Sequence, residues 1–286
     1  MAARIPVLLD ASFSRTFSRV SMPTDPSPDT AREGWNEHWN DYAASAALNP
    51  AQAYRRKLVF ELLSLERAPA PVRLLDLGSG TGDFAADVVR VRSDAEIVGL
   101  DLSASGVAMA KQKVPSGHFF EQDFTQPIEI GAQYRGWATH AVCSEVLEHV
   151  DDPVAVLRNV RPLLAAGCRL AITVPGGPMS AFDKHIGHRG HFSASRLDRT
   201  LREAGFEVED LRGAGFPFFN LYRLSVVARG KKLIEDASDR HARLPLAARV
   251  AMQAFSWLFK LNASRGSLGW QLVALGSPGS GSPTSR

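Results

Sequence analysis

Residues 74 to 82, Leu-Leu-Asp-Leu-Gly-Ser-Gly-Thr-Gly, decide how this chain is expected to fold. The apolar run that ends in Asp76 is typical of a buried parallel strand, and the glycines after it indicate a tight turn into a helix. Glycine permits positive φ and allows a ligand to approach the main chain closely. The stretch therefore predicts a strand, a turn and a helix, with a ligand site above the turn.

The spacing of Gly78, Gly80 and Gly82 narrows the kind of ligand. It reads G-x-G-x-G, whereas turns that bind the pyrophosphate of a dinucleotide use G-x-G-x-x-G. Asp76 precedes the turn by two residues, and its negative charge would repel a pyrophosphate and attract a cation. Because glycine turns recur in many α/β proteins, a nucleotide-dependent oxidoreductase stays open as the alternative class.

Three further motifs lie at the ends of predicted strands. They are Asp101 after the run 96–100, the pair Asp123-Phe124, and the stretch 141–149, Ala-Val-Cys-Ser-Glu-Val-Leu-Glu-His. With the glycine turn, these motifs resemble those of the class I S-adenosylmethionine-dependent methyltransferases. The resemblance covers about residues 35 to 214 and 267 to 276. It implies that the chain binds S-adenosylmethionine and transfers its methyl group.

The resemblance also implies which residues hold the cofactor. Asp101 would bind both ribose hydroxyls, Asp123 would lie near the adenine amine, and Phe124 would pack against the adenine ring. The stretch that includes Ser144 would border the reacting methyl group. The full set of expected cofactor-binding residues is Asp76, Gly78, Ser79, Gly80, Gly82, Asp101, Leu102, Asp123, Phe124 and Ser144.

The order of predicted elements indicates an α/β fold, with a seven-stranded, mostly parallel, Rossmann-like sheet and helices on both faces. We expect the cofactor-binding core at 71–214 and the last core strand at 266–276. The roughly fifty residues between them, 215–265, far exceed a median loop of ~4–6 residues and repeat apolar side chains at helical spacing. We therefore expect a helical insertion between strands six and seven.

Three interpretations of this insertion stay open. It is a helical hairpin that packs on the core, a cap over an apolar acceptor pocket, or a peripheral membrane contact through residues 215–262. The ends of the chain are also set apart by composition. Residues 1–30 are expected to be a disordered leader and residues 277–286 a disordered tail.

Residues 31–70 are expected to form an N-terminal helical lid over the cofactor. The segment carries aromatic side chains, which attract a sulfonium cation and exclude water. Docking of an amphipathic helix on the sheet is the alternative, and the two are compatible. The aromatic cluster of the lid consists of Trp35, His38, Trp39 and Tyr42.

The composition argues against some partners. A net charge of +3, from 33 Lys and Arg scattered among 30 Asp and Glu, does not favour nucleic acid. Both cysteines, Cys143 and Cys168, fall in predicted buried strands, which is typical of reduced core thiols and a cytoplasmic protein. We therefore expect a small-molecule or lipid-like acceptor, whereas the oligomeric state is left undetermined.

A loop after the fifth predicted strand concentrates candidate bases. Residues 183–192 contain three histidines, and a histidine near neutral pKa suits deprotonation of a hydroxyl or an amine. A polar loop whose histidines bond to nearby carbonyls is the alternative. The expected catalytic residues are His188, Glu145, His149 and His185. O-methylation is favoured, and N- or C-methylation and a non-catalytic cofactor-binding partner stay open.

A divalent metal is a further possibility at the fourth motif. If the chain is helical after Glu145, then Glu145, Glu148 and His149 share one face. With His188 they would suit Mg²⁺ or Mn²⁺. The pattern is similar to the E-x-x-E-H and later histidine of small-RNA 2′-O-methyltransferases, and ubiquinone-pathway O-methyltransferases carry a comparable one. In the metal-free alternative, Glu148 and His149 only turn the chain.

Overall fold

The computed structural model describes residues 32–40, 49–238, 246–263 and 265–279. The predicted leader at 1–30, Tyr42 of the predicted lid and residues 280–286 of the predicted tail lie outside the described residues. The helices are α1 (32–40), α2 (Pro50–Leu63), α3 (Asp83–Val91), α4 (Ala104–Lys113), α5 (Pro153–Val160), α6 (Ala181–His185), α7 (Ala194–Glu203), α8 (Phe218–Ser238) and α9 (Leu246–Leu258). The strands are β1 (Arg73–Leu77), β2 (Glu96–Asp101), β3 (His118–Glu121), β4 (Ala138–Ser144), β5 (Leu164–Pro175), β6 (Phe206–Ala214) and β7 (Gln271–Pro278).

The seven strands form one sheet in the order β3-β2-β1-β4-β5-β7-β6. The first five pair in parallel, and β7 runs antiparallel between β5 and β6. The predicted α/β fold with a mostly parallel sheet is therefore confirmed. In such a sheet the carboxyl ends of the parallel strands meet at one edge, and ligands bind there.

Each face of the sheet carries its own hydrophobic layer. Leu75 and Leu100 belong to the layer beneath α5 and α7, whereas Leu74 and Ile97 belong to the layer beneath α2 and α3. The side chains alternate between the faces because successive residues of a strand point in opposite directions. The continuous apolar runs of the strands follow from this two-sided burial.

Local side-chain and glycine signals begin and end several helices. The Asn49 side chain accepts a hydrogen bond from Ala51 N at the start of α2, and Ser103 accepts one from Gly106 N at the start of α4. Ser193 begins α7 in the same way. Gly205, at a φ of 86°, follows the end of α7 in the left-handed conformation.

One predicted element has the wrong bounds. The last strand covers residues 271–278 instead of 266–276, because Ser277 and Pro278 still pair with β6. Val91 is 50% exposed at the end of α3, although it lies at helical spacing from the buried Phe84 and Val88. Val250 is 60% exposed because α9 docks through another face.

The helical insertion between β6 and β7 consists of α8, which bends at Gly230, and α9. Among the residues that the structure describes, no helix has the length and apolarity needed to cross a membrane. The insertion docks through aromatic contacts, and the ring of Phe219 lies 5.6 Å from that of Tyr54 on α2. The other rings in this cluster are Tyr222, Phe255 and Phe259.

Candidate active site

The glycine turn lies at the carboxyl end of β1, directly after Asp76. Gly78, Gly80 and Gly82 all have positive φ, at 71°, 50° and 76°. At Gly80 a side chain is also excluded by contact, since a Cβ there would lie 2.6 Å from a ring carbon of Trp39. Ser79, between two of the glycines, is buried, and its hydroxyl has no hydrogen-bond partner among the described residues.

Asp76 is a buried carboxylate without a cationic partner in the described part of the chain. Its Oδ2 atom makes no hydrogen bond there. Burial and, second, the nearby Asp101 carboxylate raise the pKa of Asp76 to about 7. A cation above the turn would stabilise the ionised form, so this position suits a positively charged ligand.

Asp101 ends β2 and connects it to the glycine turn. Its Oδ2 accepts a hydrogen bond from Gly80 N at 2.7 Å, and its Oδ1 accepts one from Ser103 N at 2.9 Å. Burial raises the pKa of Asp101 to about 6, and these two N–H donors oppose the shift. Each oxygen keeps a second lone pair, so Asp101 can still accept hydrogen bonds from hydroxyl groups. Leu102 is half-buried beside it.

The remaining predicted cofactor residues follow the neighbouring strands. Asp123 stands two residues beyond β3 and accepts hydrogen bonds from the backbone and the hydroxyl of Thr125. Phe124 is buried in the core layer beneath α5. Ser144 ends β4, and its hydroxyl lies 2.8 Å from that of Thr173 on β5. Their positions therefore follow one edge of the sheet.

Helix α1 lies over this edge. The Trp39 indole contacts Gly80, and it also lies 3.0 Å from where a Cβ on Gly106 would stand. Asn36 accepts hydrogen bonds from the Ser103 hydroxyl at 2.8 Å and from Ser105 N at 3.1 Å. The helix therefore rests on the glycine turn and on the start of α4.

The same helix reaches the fourth motif. The Trp35 ring lies 4.8 Å from the His149 ring in an edge-on arrangement. His38 stacks edge-on against both Trp35 and Trp39, at 5.1 Å from each. Three of the four aromatic residues predicted for the lid thus lie between the glycine turn and His149.

The structure contradicts the expected placement of Glu145 in a metal site. Glu145 has a φ of 56°, so it precedes the single 3₁₀ turn Leu147–His149 and does not share a helical face with it. Its Oε2 lies 3.0 Å from the Arg55 guanidinium, and its Oε1 accepts hydrogen bonds from Thr173 and Gln271. The carboxylate is therefore committed to a contact between α2, β5 and β7.

Glu148 is a second buried carboxylate. Neither of its oxygens has a hydrogen-bond partner in the described ranges, and its residue is 1% exposed. Burial and, second, the Glu145 carboxylate raise the pKa of Glu148 well above its usual value. The Nδ1 atom of His149 is likewise buried without a partner in these ranges. Burial lowers the pKa of His149 to about 3.

The histidine loop turns back onto the fourth motif. The His188 and His149 rings are 4.6 Å apart, and one ligand atom from each of Glu148, His149 and His188 lies within 4.8 Å of the others. His188 Nδ1 lies 3.3 Å from His191 Nε2. Burial lowers the pKa of His188 far below its ordinary value, so its ring is neutral.

The hydrogen bonds fix the tautomers of two histidines. A carbonyl oxygen only accepts, so His191 Nδ1 donates to Gly177 O at 3.0 Å. Burial lowers the pKa of His191, so its neutral ring accepts at Nε2, and His188 donates to it from Nδ1. The lone pair of His188 therefore resides on Nε2. A ring in this state can bind a metal or accept a proton, but its lowered pKa makes His188 a weaker base than the near-neutral histidine expected from the sequence.

Asp183 contacts His191 of this histidine pair and is itself paired with Arg223. Asp183 Oδ2 lies 2.8 Å from the Arg223 guanidinium of α8 and 3.6 Å from His191 Nε2. Burial raises the pKa of Asp183, but the hydrogen bond and charge of Arg223, together with the hydrogen bonds from Ser180, outweigh burial and lower this pKa to about 2. His185, the other predicted base, ends α6, where its ring lies 6.5 Å from that of Phe182.

Sequence reasoning missed five residues of this region. Asp183 and His191 lie in the histidine loop, residues 183–192, and their spacing around His188 is the signal that could have identified them. The others come from distant segments, and no local pattern marks them. The five residues are Arg55, Asp183, His191, Arg223 and Gln271.

The fold and this edge define a class I S-adenosylmethionine-dependent methyltransferase. Residues 51–211 match a family described as methyltransferase domain, and the chain belongs to that family. S-adenosylmethionine is its cofactor. The reaction is therefore a methyl transfer from a sulfonium donor.

Comparison with individual proteins adds closer relatives. The chain is 29% identical to the ubiquinone biosynthesis O-methyltransferase of Xanthomonas axonopodis pv. citri (strain 306), over 63% of this chain and 78% of the relative. It is 28% identical to the protein of the same name from Thiobacillus denitrificans (strain ATCC 25259 / T1), over 55% and 75%. The solved structure of the [4+2]-cyclase SpnF shares the fold, with a TM-score of 0.59 and 19% identity over 90% of this chain and 98% of that one.

Proposed function

We propose that this chain transfers the methyl group of S-adenosylmethionine to a hydroxyl oxygen of a small or lipid-like acceptor, with His188 as the general base. The observation that carries the proposal is the neutral His188 ring, whose Nε2 lone pair is left free by the hydrogen bond to His191. The names of the curated relatives support oxygen as the accepting atom.

The cofactor is proposed to lie across the glycine turn. Asp76 would face the positively charged end of the donor, and Asp101 would accept hydrogen bonds from the ribose hydroxyls. Asp123 and Phe124 would border the adenine. The support is the unpartnered buried Asp76 oxygen and the position of these residues along one edge of the sheet. Helix α1 would then serve as the lid.

In this proposal the protein mainly orients the reactants. Methyl transfer is an in-line displacement, and alignment of acceptor and donor can supply ~7–11 kcal/mol. His188 Nε2 removes the hydroxyl proton as the oxygen attacks the methyl carbon, and S-adenosylhomocysteine leaves as a neutral thioether. The positive charge that forms on the histidine pair is stabilised by Asp183, 3.6 Å from His191 Nε2.

The test compares His188→Ala with wild type. Labelled S-adenosylmethionine is supplied with phenols that differ in apolar tail length, and with matched amines. We expect kcat for phenols to fall about 10²- to 10⁴-fold in the variant. Calorimetry should show S-adenosylhomocysteine affinity within about threefold of wild type. His118→Ala, at an exposed histidine on β3, is the control and should keep full turnover. Equal turnover in His188→Ala would contradict the assignment of the base.

A metal-assisted O-methyltransferase is the second candidate, and a specific observation favours it. Both Glu148 oxygens and His149 Nδ1 are buried without partners in the described residues, and burying polar atoms without hydrogen bonds is costly. These atoms and His188 fit a divalent cation, whereas Glu145 does not belong to the set. A cation held there would lower the pKa of an acceptor hydroxyl.

Chelation separates the two candidates. If a metal is needed, a chelator abolishes phenol methylation and added Mg²⁺ or Mn²⁺ restores it. Glu148→Gln would then weaken Mn²⁺ binding, measured directly by calorimetry. Full turnover after exhaustive chelation would leave His188 as a general base without a metal.

A further inference from the structure

The insertion carries an apolar surface that the core does not cover. On α9, Leu246 is 74% exposed and Trp257 is 63% exposed. The exposed apolar residues along this helix share one face at spacings of four and seven residues, while Phe255 and Phe259 on the opposite face pack on the core. We call this surface the insertion face; its exposed apolar residues are Leu246, Val250 and Trp257 of α9, Leu261 of the 3₁₀ turn that follows α9, and Leu221 and Leu224 of α8.

The end of α9 is held against the start of α8. The backbone of Phe216, just before α8, pairs with that of Ala263, just after α9, and Phe216 is itself exposed. Asn262 accepts hydrogen bonds from Phe218 N and Phe219 N, which fixes the end of α9 against the start of α8. These contacts therefore fix both helices of the insertion face to each other at one end.

The charge of the insertion differs in sign from that of the rest of the chain. Residues 215–265 contain nine Lys and Arg against three Asp and Glu, so they carry +6, while the whole chain carries +3. The remainder therefore carries −3. No acidic residue occurs from Arg240 onward. Exposed basic residues flank the apolar stripe, and Lys260 lies 4.0 Å from the Trp257 ring.

We propose that the insertion face docks this protein onto an anionic lipid surface. Amphipathic helices of this kind lie in the plane of the membrane interface, with apolar and tryptophan side chains inserted and basic residues near the headgroups. The proposal is independent of the acceptor and of the base. A lipid surface also places α8, whose Arg223 contacts Asp183 beneath the histidine pair, next to a store of apolar acceptors.

Vesicle sedimentation of the full chain tests the proposal. We expect binding to phosphatidylcholine vesicles that contain phosphatidylglycerol, weak binding to pure phosphatidylcholine, and release by high salt. Trp257→Glu should weaken binding to the anionic vesicles by tenfold or more, and Lys260→Glu should weaken it by about tenfold. Val91→Glu and Lys111→Glu, at exposed positions on α3 and α4, are the matched controls and should bind like wild type.

Two measurements keep the outcome decisive. Circular dichroism melts and S-adenosylhomocysteine binding should be unchanged in Trp257→Glu, which shows that the variant is folded. The proposal is overturned if wild type does not bind anionic vesicles, or if Trp257→Glu binds them as well as Val91→Glu does. It is also overturned if light scattering shows a dimer that Trp257→Glu dissociates, because a second copy of the chain then covers the face.

Discussion

The Asp76 carboxyl lies where a ligand is expected to bind, and its burial disfavours the ionised form. Because its pKa is about 7, the carboxyl is largely protonated below that pH, and a cationic cofactor must displace the proton to gain the charge. Affinity for S-adenosylmethionine should therefore increase as the pH rises through about 7 and level off above it. Asp76→Asn should lose tenfold or more in affinity at pH 8. In this variant, cofactor affinity should keep only the weaker dependence on pH that is due to Asp101, whose pKa is about 6.

Calorimetric titrations at pH 6 and pH 8 measure this dependence, and melting curves provide an independent check. The folded-state pKa of Asp76 lies above its ordinary value, so the stability it contributes is complete at low pH and is lost as the pH rises toward 7. Without cofactor, Asp76→Asn should then melt higher than wild type at pH 8. Asp198→Asn, in the exposed pair with Arg202, should leave the melting temperature nearly unchanged. A lower melting temperature for Asp76→Asn would contradict the buried charge.

Single residues also show which parts of the site can be predicted from the sequence. The glycine turn and the caps at Asn49 and Ser103 follow from local rules, and they occur where those rules place them. The position of the Glu145 side chain does not follow from local rules. It depends on contacts with Arg55 and Gln271, which are 90 and 126 residues away in the chain. Local patterns identify candidate site residues at strand ends, but they do not reveal which distant side chains will contact those residues.

Among the helices and strands of the site, helix α1 has the proposed function that is easiest to test. The Trp39 indole lies on Gly80, where a ligand on the glycine turn must meet it. If α1 is the lid, cofactor binding changes the surroundings of this ring. We expect S-adenosylhomocysteine to alter the intrinsic fluorescence of wild type, and Trp39→Phe to remove most of that change.

A matched tryptophan separates the lid from a general effect. Trp257→Phe removes an exposed indole on α9 and should leave the fluorescence change intact. Asn36→Ala, which removes the acceptor for Ser103 and Ser105, should weaken S-adenosylhomocysteine binding by about fivefold through loss of net hydrogen-bond stabilisation of ~1 kcal/mol. If Trp39→Phe responds like wild type, α1 is a docked helix and not a lid.

Elements beyond the parallel core were less predictable. Strands β1 to β5 alternate with helices, and their apolar runs define them because both faces of the sheet are covered. β7 begins later and ends later than predicted, because its limits are set by pairing with β6 and not by its own apolar residues. The sequence also left open which face of α9 points outward. A helix that is apolar on two sides gives no sequence signal for which side packs.

For the whole molecule, charge and topology divide the chain in a consistent way. The segment 215–265 carries +6 and the remainder −3, so the cofactor-binding part is the acidic part. Asp76, Asp101 and Asp123 all stand at the carboxyl edge of the parallel strands. A cationic donor is therefore attracted to the acidic edge of the sheet.

The closing strand of the sheet gives a test of what the whole fold requires. β7 lies between β5 and β6, and its last residues, Ser277 and Pro278, pair with Glu207 and Phe206. Beyond them Gly279 donates a hydrogen bond to Gly205 O at 3.0 Å and accepts one from Arg161 at 2.6 Å. A chain that stops at Gly276 loses these contacts, although residues 277–286 were predicted to be a tail.

Two truncations distinguish the strand from the tail. Ending the chain at Gly279 should leave the melting temperature within about 1 °C of wild type. Ending it at Gly276 should lower the temperature by about 5 °C or more, since several hydrogen bonds of ~1 kcal/mol each are removed and one kcal/mol shifts a domain of this size by ~2–4 °C. Differential scanning calorimetry without cofactor measures both. Equal melting temperatures would mean that the end of β7 contributes nothing to the sheet, and that the contacts of Gly279 form without stabilising it.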